Sequence, residues 1–247
     1  MKRFFSWQIT LAIILVTCSL VFYSIHYLVF RDLHHIFLYL IGDIAFLFLD
    51  VLIVMLVLHR LLEYREKQSI LKKLNMVIGT FFSEVGIDLI KHFEQFDTDL
   101  KAISQKLLIN KDWNDRSFAE ARRIIKNYSG NINSVQGNLA EVKDFLYDKR
   151  QFLLVLLENP NLLEHEAFTD LLWAIFHLTE ELVHRKSLKG LPDTDYQHLS
   201  GDIKRAYQHL ILQWLDYMQH LQQNYPYLFS LAVRTNPFDR NASVEVI

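Results

Sequence analysis

Two long apolar runs open the chain, and a rhythm of one apolar residue every three or four positions follows them. Phe4 to Phe30 contains no Asp, Glu, Lys or Arg. Leu33 to Leu58 is a second run, with Asp43 and Asp50 as its only such residues. About 20 helical residues cross a bilayer core, so each run is long enough to span. Backbone groups in lipid must be hydrogen-bonded within their own segment, so both runs predict helices. Arg31-Asp32 between them leaves room only for a turn. The pair therefore predicts a tight transmembrane hairpin over residues 1–59, with spans at about 7–30 and 33–58.

Beyond His59 the pattern is amphipathic. Ile70, Leu74, Ile78, Phe81, Val85, Leu89 and Phe93 begin an apolar stripe that continues to Leu107. This spacing predicts one long helix. Gly79 and Gly86 share a face of it. Ser117 with Glu120 reads as a capping box opening a short helix through Tyr128. Further helices are predicted from Val135 to Glu158, where Asn159-Pro160 stops the chain, from His165 to Lys186, and from Asp195 to Asn224. Tyr227 to Val233 is a short apolar segment. No segment alternates with period two. The expected fold class is all-α: the hairpin, then an antiparallel bundle of four to five helices over 60–233 with a juxtamembrane stalk, then a tail over 234–247.

Composition narrows the function classes. The chain has 247 residues, 51% of them hydrophobic, and a net charge of −2. No global basic field draws nucleic acid. One Cys excludes a disulfide framework and Cys-based zinc fingers. Lys2-Arg3 and the apolar run also resemble a signal peptide, and Leu15-Val16-Thr17-Cys18 a lipoprotein box. The run continues well past Cys18, which favours an uncleaved span. Lys2 and Arg3 precede the first span, and Arg60, Arg65, Lys67, Lys72 and Lys73 follow the second. The turn offers only Arg31. The positive-inside rule then predicts a multi-pass protein of the cell (inner) membrane, with both the N-terminus and the bundle cytoplasmic. The same five basic residues are candidates for contact with anionic lipid, although Glu63 and Glu66 dilute them.

Candidate chemistry falls in three places. Asp43 and Asp50 lie on one face of the second span, where an ionised carboxylate is costly and a helix–helix hydrogen bond or an ion pathway is the usual role. His26, His34 and His35 gather with Asp32 at the outer end, a set suited to zinc, copper or iron. In the bundle, Glu181-x-x-His184 has di-iron spacing, His177 shares its face, and Asp195-x-x-His198 offers a second arm. No phosphate loop, dinucleotide turn, nucleophile elbow or kinase signature occurs. No enzymatic activity is therefore expected, and no cofactor is called for. The leading expectation is an interaction or scaffold module. The alternatives are a membrane-tethered metalloprotein and an oligomeric ion or proton pathway. The expected partners are the lipid bilayer, a second copy of the chain and an unidentified protein.

Leu58-His59-Arg60-Leu61-Leu62, Arg65-Glu66-Lys67 and the stretch Leu74-Asn75-Met76-Val77-Ile78-Gly79-Thr80-Phe81-Phe82-Ser83-Glu84-Val85-Gly86 resemble an uncharacterised family of bacterial membrane proteins. So do Leu40-Ile41-Gly42-Asp43-Ile44-Ala45-Phe46-Leu47, Tyr225-Pro226-Tyr227-Leu228-Phe229-Ser230 and Arg234-Thr235-Asn236-Pro237-Phe238. The resemblance implies two N-terminal membrane helices and a helical cytoplasmic region. It implies no activity.

Overall fold

The computed structural model describes residues 2–245 except 129, 161, 163 and 164, with side chains also undescribed at 2–6, 8, 67–73 and 102. Lys67, Lys72 and Lys73 are therefore outside the described side chains. The chain is all-α. It divides into two compact units, Met1–Lys67 and Gln68–Ile247.

The first unit holds α1 (Lys2–Phe30) and the larger part of α2 (Leu33–Phe81). Arg31 makes the turn between them with φ of 53°, and its N–H donates to the Tyr27 carbonyl at 2.9 Å. Asp32 Oδ1 then accepts the N–H groups of His34 (2.9 Å) and His35 (3.2 Å), which caps the start of α2. Two apolar stretches, Ile9–Phe30 and Leu33–Glu66, are long enough to cross a membrane, and their most apolar windows are 0% buried within the chain.

The second unit begins within α2. Leu74, Ile78 and Phe81 are buried, and a π-helical turn at Phe82–Gly86 hands the chain to α3 (Ile87–Glu94). A Cβ at Gly86 would stand 2.4 Å from the Phe82 ring, so the absent side chain lets that buried ring lie against the backbone. The predicted single helix to Leu107 does not form. It ends after Glu94, resumes at α4 (Leu100–Ser104), and closes with a 3₁₀ turn at Gln105–Leu107. The residues between are held by pairing instead. Asn133 N–H donates to the Phe96 carbonyl (2.8 Å), Thr98 N–H donates to that of Asn131 (3.2 Å), and Asp97 bridges Ile132. Phe96 stays buried because Gly137 leaves room for it, a Cβ there falling 2.4 Å from its ring.

The remaining helices are α5 (Asp115–Lys126), α6 (Leu139–Asp148), α7 (Arg150–Leu157), α8 (Glu166–His184), α9 (Asp193–Asn224) and α10 (Pro226–Arg234). The capping box of α5 starts three residues earlier than its Ser-x-x-Glu spacing suggests. Asn114 Oδ1 accepts the N–H groups of Arg116 and Ser117, and Ser117 Oγ in turn accepts the Asn114 N–H. The predicted helix from Val135 to Glu158 is two helices that meet at Lys149. Asn138, whose side chain accepts the Glu141 N–H at 3.3 Å, starts the first of them. His165 caps α8 through Nδ1, which accepts the Phe168 N–H at 3.2 Å. Pro226 occupies the first position of α10, where its missing N–H costs nothing. Helix α9 is the hub. It packs on α8, α5, α10 and α3, and buries Leu199, Ile203, Leu210, Trp214 and Met218 along one side.

Candidate metal centre

Helices α8 and α9 are long enough to lie side by side, and each presents a histidine and a carboxylate one helical turn apart. On α8 these are His177 and Glu181, and on α9 they are His198 and Asp202. The apolar faces of both helices are buried in the core, which fixes the azimuth of these pairs. His177 and His198 are about half exposed (46% and 51%), Glu181 is 29% exposed, and Asp202 is 3% exposed. Asp202 Oδ2 stands 3.2 Å from His198 Nε2 and 3.5 Å from His177 Nε2. Neither contact has hydrogen-bond geometry, and Oδ2 has no hydrogen-bond partner. Glu181 Oε2 is 3.6 Å from His198 Nε2, and Oε1 is 4.0 Å from His177 Nε2.

Two arginines brace this set. Arg185 donates to Glu181 Oε2 at 2.7 Å and clamps both oxygens of Asp195 at 2.6 and 2.9 Å. Its hydrogen bonds hold both carboxyls below their ordinary pKa and push its own pKa up. Arg205 Nη1 lies 3.4 Å from Asp202 Oδ1.

The predicted arms are thus rearranged. Asp195 is taken up by Arg185, and His184 turns to Glu180, with Nδ1 2.8 Å from its carbonyl oxygen. Glu181, His177 and His198 are brought together. Glu-x-x-His spacing does not reach Asp202, and the signal that does is the repeated His-x-x-x-carboxylate pair, His177 with Glu181 and His198 with Asp202. Among the described residues, His177, His198 and Asp202 form the group of three donors that converge, all within 4.8 Å of one another.

Elsewhere the predicted residues are more dispersed. His26 and His35 stack with ring centroids 5.9 Å apart, whereas His34 contributes its backbone N–H to the Asp32 cap. Asp43 and Asp50 lie exposed on α2, as do Arg60 and Arg65. Near the other end of α9, a groove of about 660 Å³ is lined by Asn75, Gly79, Tyr217 and His220 among others.

A second polar cluster sits inside the helical unit. Asp97 is buried and accepts the Tyr128 hydroxyl on both oxygens, at 2.7 and 2.9 Å. Burial pushes the Glu94 pKa up from 4.5 to about 7. Arg240 and Lys91 oppose that shift, and the Asp97 charge adds to it. Burial also raises Tyr207, which feels both carboxylates. In the folded chain Glu94 therefore holds its proton to higher pH than in the unfolded chain. Its contribution to stability is fully present below about pH 4.5 and is lost as pH rises through about 7. Glu94→Gln should flatten that part of the stability–pH profile. Thermal melts of both proteins between pH 4.5 and 8 check this, and parallel profiles would refute it.

Residues 2–62 match the family model "MJ1433, N-terminal helical domain", and residues 70–234 match "Uncharacterized protein MJ1433, C-terminal helical domain". The uncharacterized protein MJ1433 of Methanocaldococcus jannaschii is 44% identical over 238 residues, which cover 96% of each chain. This relative is archaeal, whereas the resemblance drawn from the residues pointed to bacteria. No solved structure matches the chain. The chain belongs to the MJ1433 family and carries both of its helical domains.

Proposed function

We propose that the protein is a membrane-anchored helical interaction module. Helices α1 and the first part of α2 form the anchor, and the helical domain is held on the cytoplasmic side. The observation that carries this reading is that neither apolar window is buried within the chain. A core helix of a water-soluble protein buries such a surface within its own chain, and these windows bury 0%. Continuous apolar surface of this extent needs a non-aqueous neighbour. The orientation rests on Lys2 and Arg3 at the start of α1, ahead of its apolar stretch, and on Arg60 and Arg65 late in the apolar part of α2, against Arg31 alone at the turn. The partners in this reading are the bilayer, a second copy of the chain contacted through Asp43 or Asp50, and a protein bound by the helical domain.

Single-cysteine labelling tests the anchor. In a Cys18→Ser background, Leu33→Cys should react with a membrane-impermeant maleimide in intact cells. Ser243→Cys should react only after permeabilisation. The reverse pattern would refute the orientation. Release of the protein from membranes by alkaline carbonate would refute the anchor itself.

A further inference from the structure

The geometry points to a divalent transition-metal site between α8 and α9, with His177 Nε2, His198 Nε2 and Asp202 Oδ2 as ligands and Glu181 beside the fourth position. It is independent of the membrane reading, because every residue in it belongs to the helical unit.

Three observations carry it. The first is spacing. Metal–ligand bonds of about 2.0–2.1 Å set neighbouring ligand atoms of a tetrahedral site roughly 3.3 Å apart. The Asp202 oxygen stands 3.2 and 3.5 Å from the two ring nitrogens, and all three atoms lie within 4.8 Å. The remaining gap lies between two half-exposed imidazoles, and side-chain rotation would have to close it. The second is the state of Asp202. Its side chain is 3% exposed, and Oδ2 faces the two imidazoles with no hydrogen bond. Buried carboxylate oxygens are seldom left without a partner, and a bound cation would supply one. The third is the bracing around the ligands. Arg205 lies against the other Asp202 oxygen, and Arg185 donates to Glu181 Oε2 at 2.7 Å. Outer contacts of this kind orient metal ligands.

The donor set selects the ion. Two imidazoles and a carboxylate suit zinc(II), iron(II) or manganese(II). The all-oxygen shells of calcium and magnesium and the soft ligands of copper(I) are different sets. The exposed sides of His177 and His198 let the ion enter from solvent and leave a coordination position facing water.

Zinc(II) is the probe. The full chain, purified in detergent without a polyhistidine tag and stripped with chelator, is titrated with zinc against a chromophoric competitor. One equivalent per chain is expected, with a rise in Tm on binding. Cobalt(II) should give the visible absorption of a low-symmetry, nitrogen-containing site. The double variant His177→Ala/His198→Ala should lose at least about 100-fold in affinity, beyond the 10–100-fold typical of losing an outer contact. Both histidines are half exposed, so the variant should fold, and circular dichroism verifies it. Asp202→Asn keeps the shape, removes the anionic ligand and should weaken binding as well. His184→Ala should bind as wild type. Substoichiometric zinc in folded wild-type protein would overturn the site. So would wild-type affinity in the folded double variant.

Discussion

Phe168→Ala should lower the stability of the helical domain by about 3–5 kcal/mol, the range for truncating a large buried aromatic residue. Phe168 is fully buried in the first turn of α8. Its ring meets that of Phe81 edge-on, with centroids 5.2 Å apart and planes at 87°, and Phe81 in turn meets Phe82 at 5.2 Å and 78°. The stack ties α8 to the end of α2, where the π-helical turn begins. Removing the Phe168 ring leaves a cavity against the buried Phe81 ring, next to that turn. It also removes the edge-to-face contact with Phe81, a kind of pair that contributes about 0.5–1.5 kcal/mol beyond area. Denaturant unfolding of the full chain in detergent, followed by tryptophan fluorescence, checks this. The midpoint should fall with little change in slope. A loss below about 1 kcal/mol would mean that the stack does not contribute as its burial implies.

Tyr128→Phe is expected to cost about 1.5–3 kcal/mol, the range for a hydrogen bond to a charged group. The Tyr128 hydroxyl reaches both oxygens of Asp97, whose remaining described hydrogen bond is from the Asp99 N–H at 3.0 Å. Burial raises the Asp97 pKa, and these two hydrogen bonds oppose that rise. Without the phenol the carboxylate keeps its burial and loses its main donor. The cost should therefore be larger at pH 8 than near pH 4, because protonation of Asp97, favoured by its raised pKa, removes the charge that would be stranded. Equal costs at both pH values would show that the hydroxyl acts through packing alone. The cost should also shrink in an Asp97→Ala background, since a double-mutant cycle isolates the coupling.

Several elements were legible from the sequence because their causes are local. The apolar runs around Arg31-Asp32 specify two helices and a turn through composition alone. Pro160 and Pro226 mark boundaries because the ring forbids the preceding geometry. The positions of α8 and α9 follow from a 3.6-residue period with loops at Gly190 and Pro192. Boundaries shifted wherever a non-local contact competed with local pattern. The stripe from Ile70 to Leu107 keeps helical spacing throughout. The chain nevertheless leaves the helix after Glu94, since Phe96 and Asp97 gain partners at Gly137, Ile132 and Tyr128 that no nearby residue supplies. The α5 cap moved to Asn114 because two box-like spacings overlap there, and only one places both bonds.

The candidate site divides in the same way. Local patterning specifies the helices, the two apolar segments, and the faces on which His177, Glu181 and His198 lie, because one helix sets the spacing of its own side chains. Which pairs meet was decided only by the packing of α8 on α9. Their relative register brings His198 and Asp202 to His177, gives Asp195 to Arg185, and leaves His184 with Glu180. That register is set by the buried apolar residues of both helices, and its consequences at the surface cannot be read from either helix alone.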